Sequence, residues 1–196
     1  MGRSRKLDRE ALLDAAQEVV SRDGASNLTI EAVAANAGVG KATVLYDYKS
    51  KHALVRAMLE RRIEAEDERL SQIRAALDDG SDAAIHAWIR AALRPLSRQD
   101  RTIGIGLMAE LASDPELNRL SRGFIGRNIA DAVETATEPA GARLAFLAVE
   151  GLKLLDHLGL HTWSRAQIEA IIDDIGWLAE QKPEPARAIA AAAGRN

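Results

Sequence analysis

The 196-residue sequence has no cysteine, which excludes disulfides, thiol nucleophiles and thiolate zinc sites. No apolar run approaches the length of a membrane span, and the opening MGRSRKLDRE lacks the apolar core of a signal peptide. The chain is therefore expected to work in the cytoplasm and away from membranes. It has no phosphate-cradling glycine loop and no close Ser/His/acid grouping, which argues against an enzyme. No segment alternates as a β-strand does, and no internal repeat is found. A basic excess is missing too: 26 Lys and Arg face 29 Asp and Glu, for a net charge of −3. Any contact with nucleic acid must then be local.

What is there is helical throughout. With 47% hydrophobic and 28% charged residues the composition is that of a soluble globular protein. The 3.6-residue period predicts an all-α fold. A first helix is expected from Asp8 to Arg22, burying Leu12, Ala15, Ala16, Val19 and Val20. From Ser50 nothing breaks the pattern before Gly80, predicting one helix of about 28 residues. Further helices are expected from Ser81 or Asp82 to about Leu96, from Arg101 to Ser113, and from Asp114-Pro115-Glu116 to about Thr137. Ala140 to His161 is apolar almost all round, which predicts a buried helix. Ser164 and Gln167 form a capping box for a last helix fading near Gln181, and Pro183 and Pro185 stop it.

The most informative stretch is Thr29 to Leu54. Ile30, Val33, Ala34 and Ala37 keep helical spacing behind Thr29, a residue able to cap the free backbone N–H groups. Gly38-Val39-Gly40 then breaks the helix, with Gly38 where a left-handed C-cap is needed. Lys41 to Tyr48 makes about two turns, enough to lie in a DNA major groove. Basic charge gathers weakly towards this end of the chain: Arg3, Arg5, Lys6 and Arg9 form an arm and Lys41, Lys49 and Lys51 surround the second helix, so that eight Lys and Arg stand against seven Asp and Glu up to His52, with 18 against 22 beyond it. Helix, tight turn and second helix make a helix-turn-helix candidate.

Leu28-Thr29-Ile30, Val33-Ala34, Ala37-Gly38-Val39, Thr43, Tyr48, Ser50-Lys51 and Ala53-Leu54 follow in order and without a gap. Through them the stretch from about residue 8 to 60 resembles the DNA-binding domain of the TetR family of one-component transcriptional regulators. The resemblance implies a helix-turn-helix domain over 1–50, a helical effector-binding and dimerisation domain over 51–182, and a frayed tail over 183–196. It implies a homodimer, most often a repressor, that binds double-stranded DNA at a palindromic operator and answers to a small, mainly apolar effector. No cofactor is called for. Carried onto this sequence, Thr29 and Lys51 would contact phosphate, Thr43 phosphate or base, and Lys41 and Tyr46 base or phosphate. Ala42 would supply a small side chain on the same reading face. Where the family commonly has a phosphate-binding tyrosine this chain has Leu45, with Tyr46 one place later; Leu45 either meets a thymine methyl or turns into the core. The competing expectation is a helical protein-interaction module of the same fold that no longer reads DNA.

Beyond the helix-turn-helix the signals are broader. Trp88, Met108, Leu111, Phe124, Phe146 and Glu150 are candidates for an effector cavity, and the glycines at 104 and 106 would permit a ligand or another helix to approach closely. Leu147, Leu155 and the stripe Ile168, Ile171, Ile172 and Ile175 are candidates for the dimer interface, where by resemblance the last two main helices pair with their copies. His157 and His161 lie one turn apart beside Asp156, but without a third ligand no metal is assigned.

Overall fold

The computed structural model describes residues 2–77, 80 and 82–183, with side chains from Arg9 onward. Among these the chain forms nine α-helices and one short 3-10 turn, with no strand. Residues 184–196 of the expected tail, Ser81 as a cap and the side chains of Arg3, Arg5 and Lys6 lie outside the described residues.

The N-terminal third is α1 (Gly2–Asp23), α2 (Ile30–Ala37) and α3 (Lys41–Asp47). Helix α1 starts six residues before the expected Asp8, because Arg, Lys and Leu are all good helix formers. Thr29 caps α2 by accepting from the Ala32 N–H at 3.0 Å. Gly38 ends it at φ 67°, a left-handed conformation that a β-carbon would strain. Tyr48, 3% exposed, closes the small domain: its hydroxyl donates to the Arg9 carbonyl at 3.2 Å and its ring lies under the Arg9 guanidinium.

Helix α4 (Lys51–Ala75) is capped by Ser50, which accepts from the Ala53 N–H. At 25 residues it runs about 37 Å at the standard rise. Then come α5 (Ala83–Ala91), α6 (Arg98–Ser113), α7 (Pro115–Glu134), α8 (Pro139–His157) and α9 (Arg165–Ala179). Helix α5 stops five residues short of the expected Leu96, since the Pro95 ring would clash with the carbonyl of Ala91 in a continued helix. Helix α6 starts earlier than expected, because Ser97 and Asp100 form a capping box. Asp82 makes no cap bond; its carboxylate accepts from the Thr137 N–H and hydroxyl, fixing the α7–α8 connection.

Two apolar cores result. The first joins α1–α3 and the start of α4 to Ile103 and Leu107 of α6 and Leu117 of α7. The second fills the space between α5, α7, α8 and α9 around a Trp88–Phe146 stack with centroids 4.7 Å apart. Helix α8 departs from the expected burial: Ala142, Ala145, Phe146 and Val149 are inside, but Leu144, Leu147, Leu154, Leu155 and Leu158 are exposed.

The α8–α9 contact is tight enough to test. A β-carbon at Gly141 would lie 2.3–2.7 Å from the carbonyl oxygens of Gln181, Leu178 and Ala179, whereas Gly126 in α7 faces open space. Gly141→Ala should cost about 1–3 kcal/mol by overpacking, and Gly126→Ala should gain about 0.5–1 kcal/mol by helix propensity. Urea unfolding at one fixed protein concentration checks both signs.

Candidate functional site

Helix α3 turns one face outward. Val44 and Tyr48 are buried, Leu45 packs partly into the first core, and Lys41, Ala42, Thr43 and Tyr46 are exposed. Tyr46 is 59% exposed; Lys49 donates to its carbonyl at 2.9 Å and sits over its ring. Lys41, at the start of α3, pairs with Glu31 in the first turn of α2, the helix that Thr29 caps. Of the two neighbours at the family's tyrosine position, Leu45 therefore belongs to the domain and Tyr46 to its surface.

Lys51 opens α4 and reaches Glu110 of α6 at 3.3 Å. His52 lies 2.8 Å from Asp114, and Arg56 2.6 Å from Glu116. These three contacts line the seam where the small domain meets the α6–α7 corner.

Apolar contact runs deeper in that seam. A β-carbon at Gly106 would come 2.7 Å from Ala25 and 3.4 Å from Val20 of the small domain. Two residues earlier on α6, a β-carbon at Gly104 would come 2.7 Å from the His157 ring and 3.9 Å from Arg62. The two glycines thus face opposite neighbours, one the small domain and the other a cavity.

That cavity, about 1160 Å³, lies between α4, α6, α7 and α8 and the segments after α5 and α8, with residues of α1 and α9 at its edges. Met108, Leu111, Phe124 and Glu150 line it; Trp88 and Phe146 do not, being stacked in the second core behind it. Glu150 accepts from the Trp88 indole at 3.1 Å and from Lys153 at 2.8 Å, joining core to wall. The wall also carries Arg62, Arg69, Arg94, Arg101 and His157, which the apolar expectation did not include. Arg69 pairs with Glu66, Arg94 with Asp100 and Arg101 with Asp156, all within 3.2 Å. Burial pushes the Asp100 carboxyl up, but the Ser97 hydrogen bonds and the Arg94 and Arg62 charges more than reverse this. His157, 8% exposed, donates from Nδ1 to the Lys153 carbonyl at 2.7 Å. It ends α8, while His161 lies beyond the Gly159 turn against Trp163, so the two histidines do not share a helix.

The description "Bacterial regulatory proteins, tetR family" matches residues 12–58, and "Tetracyclin repressor-like, C-terminal domain" matches residues 82–180. The chain belongs to the TetR family. It is a DNA-binding transcriptional regulator and not an enzyme. Among solved structures, a transcriptional regulator from Rhodococcus sp. Rha1 is 20% identical with a TM-score of 0.71, over 90% of this chain and 99% of its own. The multidrug binding protein EbrR, solved with imidazole, is 22% identical with a TM-score of 0.66, over 91% of each chain. A regulator from Saccharomonospora viridis, solved with choline, is 17% identical with a TM-score of 0.66, over 88% of this chain and 95% of its own. No curated protein matches the chain by sequence. No helix among the described residues is long and apolar enough to cross a membrane.

The residues expected to pair two TetR chains divide. Leu147 and Leu155 are exposed on α8, and Ile168 and Ile171 are half-buried; Ile172 and Ile175 are each 6% exposed, turned into the chain's own second core. Beside Leu147 and Leu155, the outward leucines are Leu144 and Leu154 on α8 and Leu158 at its C-cap, with Trp177 of α9 63% exposed.

The seam of this TetR chain should respond to acid. Asp114 caps α7, and the Leu117 N–H, then the Glu116 N–H and the His52 ring, hold its carboxyl below the ordinary value against desolvation. With a lowered folded value, the stabilisation is complete above the unfolded pKa of about 4 and is lost as pH falls through the folded one. Thermal unfolding followed from about pH 6 down to about pH 2 should show a shallower acid loss in Asp114→Asn, which keeps a capping oxygen but not the charge. An acid limb equally steep in both proteins would remove Asp114 as its source.

Proposed function

We propose that the protein is a homodimeric repressor acting in the cytoplasm, whose two α3 faces occupy a palindromic operator and whose cavity takes a small effector that releases it. The observation that carries this is the pair of tight approaches on α6, Gly104 towards the cavity and Gly106 towards the small domain. A helix packed this closely on both sides cannot yield to a ligand on one without pressing on the other. The effector acts by binding more tightly to the state whose half-sites are misaligned. The Met108, Leu111 and Phe124 wall fits a ligand with an apolar body. That solved relatives hold imidazole or choline supports the use of this domain for small molecules.

Dimerisation is supported by the leucine stripe of α8 and by Trp177. Large apolar side chains at this density on one face mark an interaction surface. Gly151 and Gly176 on the same two helices have open space above them, so a second backbone could come close. On DNA, Lys51 and Thr29 would hold phosphates and fix the register, while Ala42, Thr43 and Tyr46 would face base edges.

Selection from a random DNA pool should enrich a palindrome with half-sites about one helical turn apart; a pool that enriches nothing would favour a protein-interaction module instead. On the selected site, Lys51→Ala should weaken binding and lower the salt slope by about 1 for each phosphate that is no longer neutralised. Thr43→Ala should weaken binding as well, and unchanged affinity in both variants would refute the assignment of these residues to the DNA surface. In sedimentation at micromolar concentration the chain should run as a dimer, and Leu147→Glu with Leu154→Glu should give monomers.

A further inference from the structure

Charge in the cavity wall is paired with one exception. The carboxylates of Glu66, Asp100, Glu150 and Asp156 each already hold a cation. Arg62, from α4, makes no ion pair or hydrogen bond among the described residues. Asp100, which feels its charge, is taken up by Ser97 and Arg94. The wall is short of acceptors elsewhere too. Arg101 Nε and Trp163 Nε1 are shut off from solvent with no hydrogen-bond partner, and among the described residues these are the unsatisfied buried side-chain atoms. Both are donors. His157 is tied down separately, its Nδ1 donating to the Lys153 carbonyl.

We infer that the effector is a carboxylate on an apolar body, its anionic end taken by Arg62 and its body lying against Met108, Leu111 and Phe124. A guanidinium suits this role because its planar fork matches a carboxylate. One surplus cation calls for one negative charge. A cationic ligand would find every inner carboxylate occupied and Arg62 repelling it. With no β-carbon at residue 104 the His157 ring packs directly on α6 with Arg62 beside it, which places the unpaired guanidinium at the cavity wall. This inference rests on the cavity being the effector site.

Binding is measured by calorimetry on the full-length protein with decanoate, 1-decanol and decyltrimethylammonium, and with 2-naphthoate beside 2-naphthol to separate alkyl from aryl carboxylates. At least one carboxylate should bind about tenfold or more tightly than its uncharged counterpart and than the ammonium. Arg62→Met, checked for folding by circular dichroism, should lose that preference while still binding the alcohol, and Arg62→Lys should keep part of it. An alcohol or ammonium that binds as tightly as the carboxylates overturns the anion assignment while the cavity stands. So does a preference that survives in Arg62→Met. If none of the five probes binds at millimolar concentration, the effector site itself is wrong and the inference falls with it.

Discussion

Helix α6 is held without slack between two neighbours, and the rest of the structure depends on that. On one side Gly106 lets it lie against Ala25 and Val20, and on the other Gly104 lets it lie against His157 and Arg62. Each glycine costs a helix about 1 kcal/mol relative to alanine. Two of them, two residues apart, are offset only by what the close approaches bring: Ile103 and Leu107 reach the first core, while Met108 and Leu111 reach the cavity. Close-packed interiors pass on displacement because they have few voids to absorb it. A small domain with its own three helices therefore shares its core with the helix that walls the cavity.

The same division explains what the sequence made legible. The helix-turn-helix could be placed because its determinants are local: Thr29 as cap, Gly38 at positive φ, and an apolar period over a few turns. Boundaries shifted where a cap or a proline outweighed the periodicity, as at Ser97 and before Pro95. The cavity was legible only in part, since its wall is assembled from helices and connecting segments far apart in sequence. Met108, Leu111, Phe124 and Glu150 reach it, yet Trp88 and Phe146, equally apolar and equally helical, stack on each other behind it. Nothing in the pattern around either aromatic distinguishes core from wall. Arg62 and Arg101 were missed because a charged residue at helical spacing has the ordinary reading of a solvated face, and His157 was weighed only as a metal ligand; the glycines at 104 and 106 were the one signal of a close approach there.

Helix α8 carries a further lesson about periodicity. A helix apolar all round is buried somewhere, but the sequence does not say by what. Here the chain covers Ala142, Ala145, Phe146 and Val149 and leaves five leucines outside. Ile172 and Ile175 go the other way, filling the chain's own core where an interface was expected. Inward positions on α8 vary in size from Gly141 and Ala142 to Phe146 and Leu152, whereas the large apolar residues turned outward are all leucine. That suits one face packed irregularly within the protomer and one face regular enough to meet a copy of itself.

The ion pairs along the seam pose a question that magnitudes decide. Lys51 holds Glu110 here, although the family contact would give the same ammonium to a DNA phosphate. It is tempting to make this pair the latch between the two domains. Exposed pairs of this kind contribute about 0–1 kcal/mol, and allosteric coupling typically runs at about 1–3 kcal/mol. Lys51 with Glu110, and Arg56 with Glu116, are both partly exposed and open to screening by salt. Burying one leucine-sized side chain contributes about 1.5–3 kcal/mol and is not screened. Ile103, Leu107 and Leu117 all enter the first core from the effector side of the seam. Coupling between the domains must then be carried mainly by this apolar contact. Salt should tune how tightly the regulator holds DNA far more than whether its two domains move together.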